Sequence, residues 1–277
     1  MSSASNRLSD AEGVINVEVR GPLRGLFLGK GDPINLANSF STVWELGQNN
    51  AEICIELNQA SLKVIEKHAL DFSEELILRR DRSTMLADVR ASVSVLTVDE
   101  AAAVRAYTME CGLYKALNKL LRDENRQLLE PFVEYLWLLM HGLSKCPLPN
   151  VALVYRGVPC SVSGSYNVGS IVTWSSFSSC TTRVGALEND MFLGKEGERT
   201  EFHITLTTNR ARSIRHLSVM PGEDEILLPP NTRLLVVDKA DRGHGLCVVQ
   251  LREEPCLDPI LVFPDRVRVP GRQLSEQ

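Results

Sequence analysis

The sequence has no long hydrophobic run, which argues against an integral membrane protein. No window approaches the ~20 apolar residues that a membrane-spanning helix needs. Residues 1–7 lead into no apolar stretch of the kind found in a secretory signal peptide. We therefore expect a soluble protein without a membrane span, cytoplasmic by default, with secretion by a signal-independent route as the alternative.

The sequence also lacks paired cysteine spacings and any concentration of positive charge. The 7 cysteines are scattered and the 5 histidines form no ligand pattern with them, so we expect reduced thiols and no metal. The 30 basic and 35 acidic residues are interspersed and give a net charge of -5. This balance argues against a partner such as nucleic acid or an anionic membrane surface, because both require a concentrated basic surface.

The chain does contain enough apolar material for a substantial core. Hydrophobic residues make up 44% of its 277 residues, which suits one large domain or a domain with a smaller appendage. We place a boundary near residue 95. Residues 1–95 are predicted to form an N-terminal extension of short strands followed by a helix, and residues 96–277 the main domain.

The first half of the chain shows mainly helical spacing of its apolar residues. Short β-like runs at 14–19 and 53–57 precede an amphipathic helix predicted over residues 61–90. A helical lobe is predicted over 97–145, and it opens with Thr97 as the first residue of a capping box.

After residue 150 the apolar pattern changes to the period of two that is typical of strands. Strands are predicted near residues 151–155, 170–174, 202–206, 226–228, 234–237 and 246–251. Because no helical pattern separates them, the sheet is expected to be mainly antiparallel. The prediction is an α+β fold, with a helical layer against one face of a β core over residues 150–270.

Three motifs in this second half are candidates for chemistry, and the first is Arg156 followed by Gly157. A guanidinium at the end of an apolar strand can bind phosphoryl oxygens at two points. Glycine allows a ligand to approach the backbone closely. Taken alone, a strand-end surface arginine is the plainer interpretation of Arg156.

The second motif is a run of hydroxyl residues around two aromatic side chains. Trp174 or Phe177 can stack on a flat ring, and Ser179 can bond a carboxylate or a ribose hydroxyl, although serine-rich turns are also common. No histidine or aspartate is spaced so as to activate one of these serines as a nucleophile. Cys180 is interpreted as a small buried residue and not as a nucleophile.

The third motif is the acidic run Glu223, Asp224 and Glu225 before the apolar residues 226–228. On an extended chain, Glu223 and Glu225 point to the same side and Asp224 to the other. Two such carboxylates can divide the work of sugar transfer, one stabilising a cationic sugar carbon and the other taking a proton. For the run in isolation, a solvated acidic turn is the alternative.

Taken in this order, the motifs resemble the R-S-E class of mono-ADP-ribosyltransferases, in particular its arginine-modifying branch. The resemblance covers roughly residues 97–252, and its flanking segments lie at 106–108, 114–118, 121–122 and 213–218. It implies an ADP-ribosyltransferase-like split antiparallel β-sandwich core preceded by a helical layer. It also implies an enzyme that transfers a pentosyl group from NAD, its substrate, to an arginine of a protein partner and releases nicotinamide, without a metal.

The resemblance also implies roles for single residues. Arg156 holds the phosphates of NAD, and Gly157 offers its backbone to the nicotinamide carboxamide. Ser179 positions Glu225, which bonds the nicotinamide-ribose 2′-hydroxyl and stabilises the oxocarbenium ion. Glu223 holds and activates the acceptor guanidinium. The candidate catalytic residues are therefore Arg156, Ser179, Glu223 and Glu225.

Two further features of the resemblance concern the segment after the hydroxyl run. The Ser-Thr-Ser motif of the family reads Ser179, Cys180 and Thr181 here, so only its first position is unchanged. Residues 183–200 are similar to the flexible loop of the family, in which Phe192 covers the nicotinamide ring. A surface loop without ligand contact is the alternative for Phe192.

Two other functions are compatible with the same residues. One is an NAD glycohydrolase on the same fold, in which water replaces the protein acceptor. The other is a catalytically silent NAD-binding module. The second is disfavoured because Arg156, Ser179, Glu223 and Glu225 are all present.

Overall fold

A computed structural model describes residues 34–79, 83–188, 193–257 and 259–263. The strand predicted at 14–19 and the side chain of Phe192 lie outside these ranges. Seven α-helices occur among the described residues: α1 Leu36–Gly47, α2 Ala51–Glu56, α3 Gln59–Leu78, α4 Ala87–Val93, α5 Val98–Tyr107, α6 Leu113–Arg122 and α7 Val133–Lys145. Within those same ranges, no helix is both long and apolar enough to cross a membrane.

Local sequence signals explain where several of these helices begin. The Thr97 side chain accepts from the backbone N–H of Glu100, and the Glu100 carboxylate accepts from the N–H of Thr97, which confirms the predicted capping box. The strand predicted at 53–57 is wrong, because this segment lies mostly in α2. Ile53 and Leu57 are both buried and four residues apart, a spacing that also suits one face of a helix.

In the described part of the chain, eight strands follow the helices: β1 Leu153–Val158, β2 Ile171–Trp174, β3 Ser178–Thr181, β4 Arg199–Thr205, β5 Arg212–Ser213, β6 Glu225–Leu228, β7 Thr232–Asp241 and β8 Leu246–Glu254. Hydrogen bonds connect them in the order β2-β7-β8-β4-β1-β3-β6-β5. The pairings are antiparallel except that of β4 with β8, which is parallel. The predicted α+β fold with a mainly antiparallel sheet is confirmed.

The sheet is weakly joined at its middle. Strands β1 and β4 share six register pairs, but β1 and β3 share one, between Tyr155 and Thr181. The sheet therefore divides into a five-strand half that ends at β1 and a three-strand half that begins at β3. This division places the predicted Arg156 motif on one side of a junction and the serine and glutamate motifs on the other.

The helical layer packs mainly against the three-strand half of the sheet. Phe177, Ile214, Leu217 and Leu227 belong to the same buried cluster as the apolar faces of the helices. Helices on both sides of residue 95 contribute to that cluster, since Leu62 and Ile65 of α3 lie in it together with residues of α5 to α7. The boundary predicted at residue 95 stays a prediction.

Gly112, at the start of α6, is expected to be the most sensitive glycine of the helical layer. Its φ is 75°, and an added Cβ would overlap the carbonyl oxygen of Glu56. We expect Gly112→Ala to lower the free energy of unfolding by about 3 kcal/mol, from left-handed strain plus this overlap. Chemical denaturation followed by circular dichroism measures the change.

Gly169 provides the matched control for this substitution. Its φ is 85°, but an added Cβ would meet nothing within 4 Å. Gly169→Ala therefore carries the backbone strain without the overlap and is expected to cost about 1 kcal/mol. Equal losses in the two variants would show that the contact with Glu56 is unimportant.

Candidate active site

The site is centred on the carboxylate of Glu225, the first residue of β6, which is 0% exposed. The Ser179 hydroxyl on the neighbouring strand β3 donates to Glu225 Oε1 at 2.6 Å. The Ser218 hydroxyl donates to Oε2 at 3.1 Å. Because both oxygens receive a hydrogen bond, the carboxylate is held in one orientation.

The Ser218 hydroxyl oxygen has a second hydrogen-bond partner besides Glu225. Its oxygen accepts from the backbone N–H of Met220 at 3.1 Å. Since a serine hydroxyl has a single proton, that proton is available for Glu225. Ser218 was not predicted as a site residue. The sequence signal was its place in the flanking segment 213–218, and only the fold shows its contact with Glu225.

The Thr181 hydroxyl holds the backbone of Glu223 in place by a hydrogen bond. Its hydroxyl donates to the Glu223 carbonyl oxygen at 2.8 Å and accepts from the N–H of Arg183 at 3.1 Å. Threonine at the third position of the motif therefore retains the hydroxyl of the serine that the family has there.

The acidic run is a turn, and the extended conformation considered for it is wrong. Glu223 closes a 3₁₀ turn, Pro221–Glu223, and Asp224 adopts a left-handed conformation with φ 48°. Strand β6 begins only at Glu225. The relative directions of the two glutamates are therefore set by this turn and not by the alternation of a strand. Glu223 is 8% exposed.

Asp224, the middle residue of the acidic run, forms an ion pair with Arg215. Its carboxylate lies 2.8 Å from the guanidinium of Arg215, whose side chain is 60% exposed. An exposed pair of this kind stabilises a fold only weakly. The pair nonetheless shows that a guanidinium can contact a carboxylate of the acidic turn from the solvent side.

Arg156 is buried in the interior, with 1% of its surface exposed. Its Nη1 donates to the carbonyl oxygen of Ser179 at 2.7 Å, across the junction between β1 and β3. Alternation along β1 places Arg156 on the same face as Val154 and Val158, which lie in the core of the sheet. The bond observed is thus a tie between the two halves of the sheet, and the predicted contact with NAD phosphates stays a prediction.

Gly157 packs against Leu187 and Leu193, which belong to the segment that follows β3. An added Cβ would lie 3.1 Å from the Cβ of Leu193 and 3.6 Å from Leu187, so this position has little room for a side chain. A cavity of about 430 Å³ opens beside it, lined in part by Leu187, Leu193, Lys195 and Glu201. The predicted contact of the Gly157 backbone with nicotinamide, like the covering role of Phe192, stays a prediction.

The two aromatic residues proposed to stack on a ligand both lie in the core. Trp174 is 0% exposed and its indole N–H donates to the hydroxyl of Tyr166 at 2.9 Å. Phe177 is 1% exposed and its ring lies 5.2 Å from that of Tyr107. Neither ring can stack on a ligand here. Their task is to hold the segment that leads into β3.

Cys180 is the buried residue that the sequence indicates. It is 0% exposed and lies between Ser179 and Thr181 on β3, with Ile226 as its register partner. Burial raises the pKa of its thiol to about 12, so the thiolate that nucleophilic catalysis requires is not formed near neutral pH. Within the described parts of the chain, no group of three His, Cys, Asp or Glu residues is placed to hold a metal ion.

The fold and the site together define a class. A mainly antiparallel sheet, weakly joined at its middle, carries a buried glutamate held by a serine of the adjacent strand, which is the arrangement that the resemblance to R-S-E ADP-ribosyltransferases implies. The model of the NAD:arginine ADP-ribosyltransferase family matches residues 44–255, which is more than half of the chain. The protein belongs to this family.

Curated relatives include animal and bacterial enzymes. The chain is 28% identical over 214 residues to the erythroblast NAD(P)(+)–arginine ADP-ribosyltransferase of Gallus gallus, a match that covers 73% of this chain and 67% of that protein. It is 29% identical over 165 residues to the NAD(+)–protein-arginine ADP-ribosyltransferase Tre1 of Serratia proteamaculans, which covers 58% of this chain and 33% of that one. The chain thus spans a third of the Serratia protein.

Solved structures show the same fold at low identity. The eukaryotic mono-ADP-ribosyltransferase ART2.2 aligns with a TM-score of 0.53 at 13% identity, over 88% of this chain and 94% of that one. HopU1 of Pseudomonas syringae aligns with a TM-score of 0.54 at 17% identity, over 67% and 87%. The ADP-ribosyltransferase Vis, solved with agmatine, aligns with a TM-score of 0.50 at 17% identity, over 70% and 86%. These likenesses confirm the ADP-ribosyltransferase fold.

Proposed function

We propose that this chain cleaves the bond between nicotinamide and ribose in NAD and transfers the ADP-ribose to an arginine side chain of a protein. The observation that carries the proposal is the Glu225 carboxylate, fully buried and held at both oxygens by the hydroxyls of Ser179 and Ser218. Membership of the family and the arginine specificity in the names of the relatives support the same reaction.

Glu225 supplies the electrostatic stabilisation that this bond cleavage needs. As the bond breaks, its electron pair goes to the nicotinamide nitrogen, which was positively charged, and positive charge develops on the ribose. The leaving group thus requires little help from an acid. A fixed carboxylate beside the sugar cation stabilises it without reorganising, because the two serine hydroxyls already set its orientation.

Glu223 serves the acceptor in this proposal. An arginine in water is protonated, so a nitrogen of its guanidinium becomes a nucleophile only as it loses a proton. The new bond joins that nitrogen to the ribose carbon, and the proton passes to the carboxylate of Glu223. The hydrogen bond from Thr181 to the Glu223 carbonyl holds the turn on which this carboxylate lies.

The remaining predicted residues have supporting tasks. Arg156 ties β1 to β3 through the Ser179 carbonyl, which keeps Ser179 beside Glu225. A phosphate contact of Arg156 and a nicotinamide contact of Gly157 are part of the proposal through the family resemblance. Residues 1–95 are proposed as an extension to a catalytic domain over 96–277, and the host compartment as the cytoplasm.

An assay of nicotinamide release with and without agmatine, a small arginine mimic, tests the function. We expect release in both conditions, a clear rise with agmatine, and ADP-ribosyl-agmatine as the product. The rise is expected because a guanidinium bound at Glu223 captures the sugar cation faster than water does, so that less of the cation recombines with nicotinamide. Release that agmatine does not change, with free ADP-ribose as the only product, would identify an NAD glycohydrolase instead.

A further inference from the structure

A second set of contacts fixes the backbone that carries Ser218. Arg105, in the last turn of α5, donates from Nη1 to the carbonyl oxygen of Leu217 at 3.1 Å and to that of Ser218 at 2.6 Å. Three residues further along the chain, directly after α5, the Thr108 hydroxyl accepts from the backbone N–H of Val219 at 3.1 Å. Three hydrogen bonds from the C-terminal end of α5 and its cap therefore hold the two consecutive peptide groups that join residues 217 to 219.

Arg105 is itself held by a residue from the N-terminal part of the chain. Its guanidinium carbon lies 4.0 Å from the centre of the Phe72 ring in α3, a distance that gives a cation–π interaction. Arg105 is half-buried, and burial lowers the pKa of its guanidinium. A cation is desolvated at this place, and its hydrogen-bond partners are backbone carbonyls of the Ser218 segment.

We propose that Arg105 is a positioning residue of the reaction, which fixes residues 217 to 219 so that the Ser218 hydroxyl points at Glu225 Oε2. The Phe72 ring packs against the Arg105 guanidinium, so α3 contributes to the geometry of the site. The inference rests on the proposed function, because it assigns to Arg105 an effect on the carboxylate that stabilises the sugar cation. The path runs from Phe72 through Arg105 and Ser218 to Glu225.

The test uses the full chain and the variants Arg105→Gln, Ser218→Ala and both together. We expect Ser218→Ala to lower kcat for nicotinamide release about 10-fold, since one hydrogen bond to a charged group is lost. Arg105→Gln is expected to lower kcat about 5-fold, with KM for NAD changed less than about twofold, because Arg105 contacts only the protein. The double variant is expected to be no slower than Ser218→Ala alone.

Arg90 supplies the matched control. Its guanidinium also donates to two backbone carbonyls, those of Ser83 and Met85, but on the exposed surface near α4. Arg90→Gln is expected to leave kcat and KM unchanged. If Arg105→Gln behaves like Arg90→Gln, or if its effect multiplies fully with that of Ser218→Ala, the inference is overturned.

Hydrogen exchange separates this inference from the proposed function. The N–H groups of Val219 and Met220 bond to the hydroxyls of Thr108 and Ser218. We expect Arg105→Gln to speed exchange of these amides at least 10-fold and Arg90→Gln to leave it unchanged, whether or not the protein cleaves NAD. Unchanged protection of these amides in Arg105→Gln would overturn the inference. If the wild type released no nicotinamide but Arg105→Gln still showed faster exchange, only the proposed function would be overturned.

Thr108→Val keeps the test decisive if Arg105→Gln does not fold. This substitution removes the hydroxyl that accepts from Val219 while retaining the shape of the side chain. We expect about a 3-fold lower kcat, with no further loss when it is combined with Ser218→Ala. Wild-type kcat and wild-type exchange in Thr108→Val would count against the inference.

Discussion

Glu225→Gln is expected to lower the rate of nicotinamide release about 100- to 1000-fold, with and without agmatine. The substitution removes the negative charge that stabilises the sugar cation but retains the volume of the side chain. One preorganised group of this kind commonly contributes ~3 to 4 kcal/mol to the stabilisation of a transition state. Because bond cleavage precedes capture by either water or arginine, both hydrolysis and transfer are expected to fall together. Steady-state nicotinamide release at saturating NAD measures the effect.

Glu253 provides the control for the consequences of neutralising a buried carboxylate. It is 2% exposed and, like Glu225, is held by hydrogen bonds from neighbouring residues, here the N–H groups of Thr207 and Thr208 and the Thr208 hydroxyl. Glu253→Gln is expected to lower stability while the folded protein keeps its kcat. If Glu225→Gln and Glu253→Gln reduced kcat equally, Glu225 would have no electrostatic role in catalysis.

Glu223→Gln is expected to lose transfer to arginine while NAD hydrolysis continues. Without the Glu223 carboxylate, the acceptor guanidinium has neither an ionic partner nor a base to take its proton, so we expect transfer to agmatine to fall about 100-fold. Water needs neither contact, and Glu225 remains in place to stabilise the cation. The measurement is the ratio of ADP-ribosyl-agmatine to free ADP-ribose, which separates the two fates of the same intermediate.

The control for this second variant is a glutamate outside the site. Glu254, at the end of β8, is partly exposed and pairs with Arg252. Glu254→Gln is expected to leave the product ratio unchanged. A Glu223→Gln variant that lost hydrolysis and transfer to the same extent would contradict the division of labour between the two glutamates.

The parts of the fold that follow from local chemistry could be predicted from the sequence. The capping box at Thr97 and the alternating residues of β4 depend on neighbours in the chain, and both were predicted correctly. The segment at 53–57 was predicted wrongly because a short apolar run fits a strand and a helix equally well. Strand β3 was missed because Ser178–Thr181 has no apolar alternation and depends on its partner β6.

The order of the three motifs along the chain was sufficient to predict candidate residues for the site, but not all the contacts that those residues make. Ser179 and Glu225 do lie together, as the resemblance implied. The conformation of Asp224 was not predictable, because a left-handed residue between two glutamates depends on the turn closed around it. The contacts of Ser218 and Arg105 were not predictable either. Arg105 bonds to Ser218 across more than a hundred residues, and Ser218 meets Glu225 only because the turn between them brings them together.

The interleaving of the two sheet halves has a consequence for how the protein can be studied. The chain passes from β2 to β3, from β3 to β4, from β4 to β5 and from β6 to β7, and each passage moves it from one half to the other. No contiguous fragment therefore consists of one half alone. The contacts of Arg156 with Ser179 and of Ser179 with Glu225 join residues 23 and 46 positions apart, and contacts between distant residues form slowly. Turnover can serve as a sensitive reporter of complete refolding, and expression of isolated pieces is a poor strategy for mapping activity.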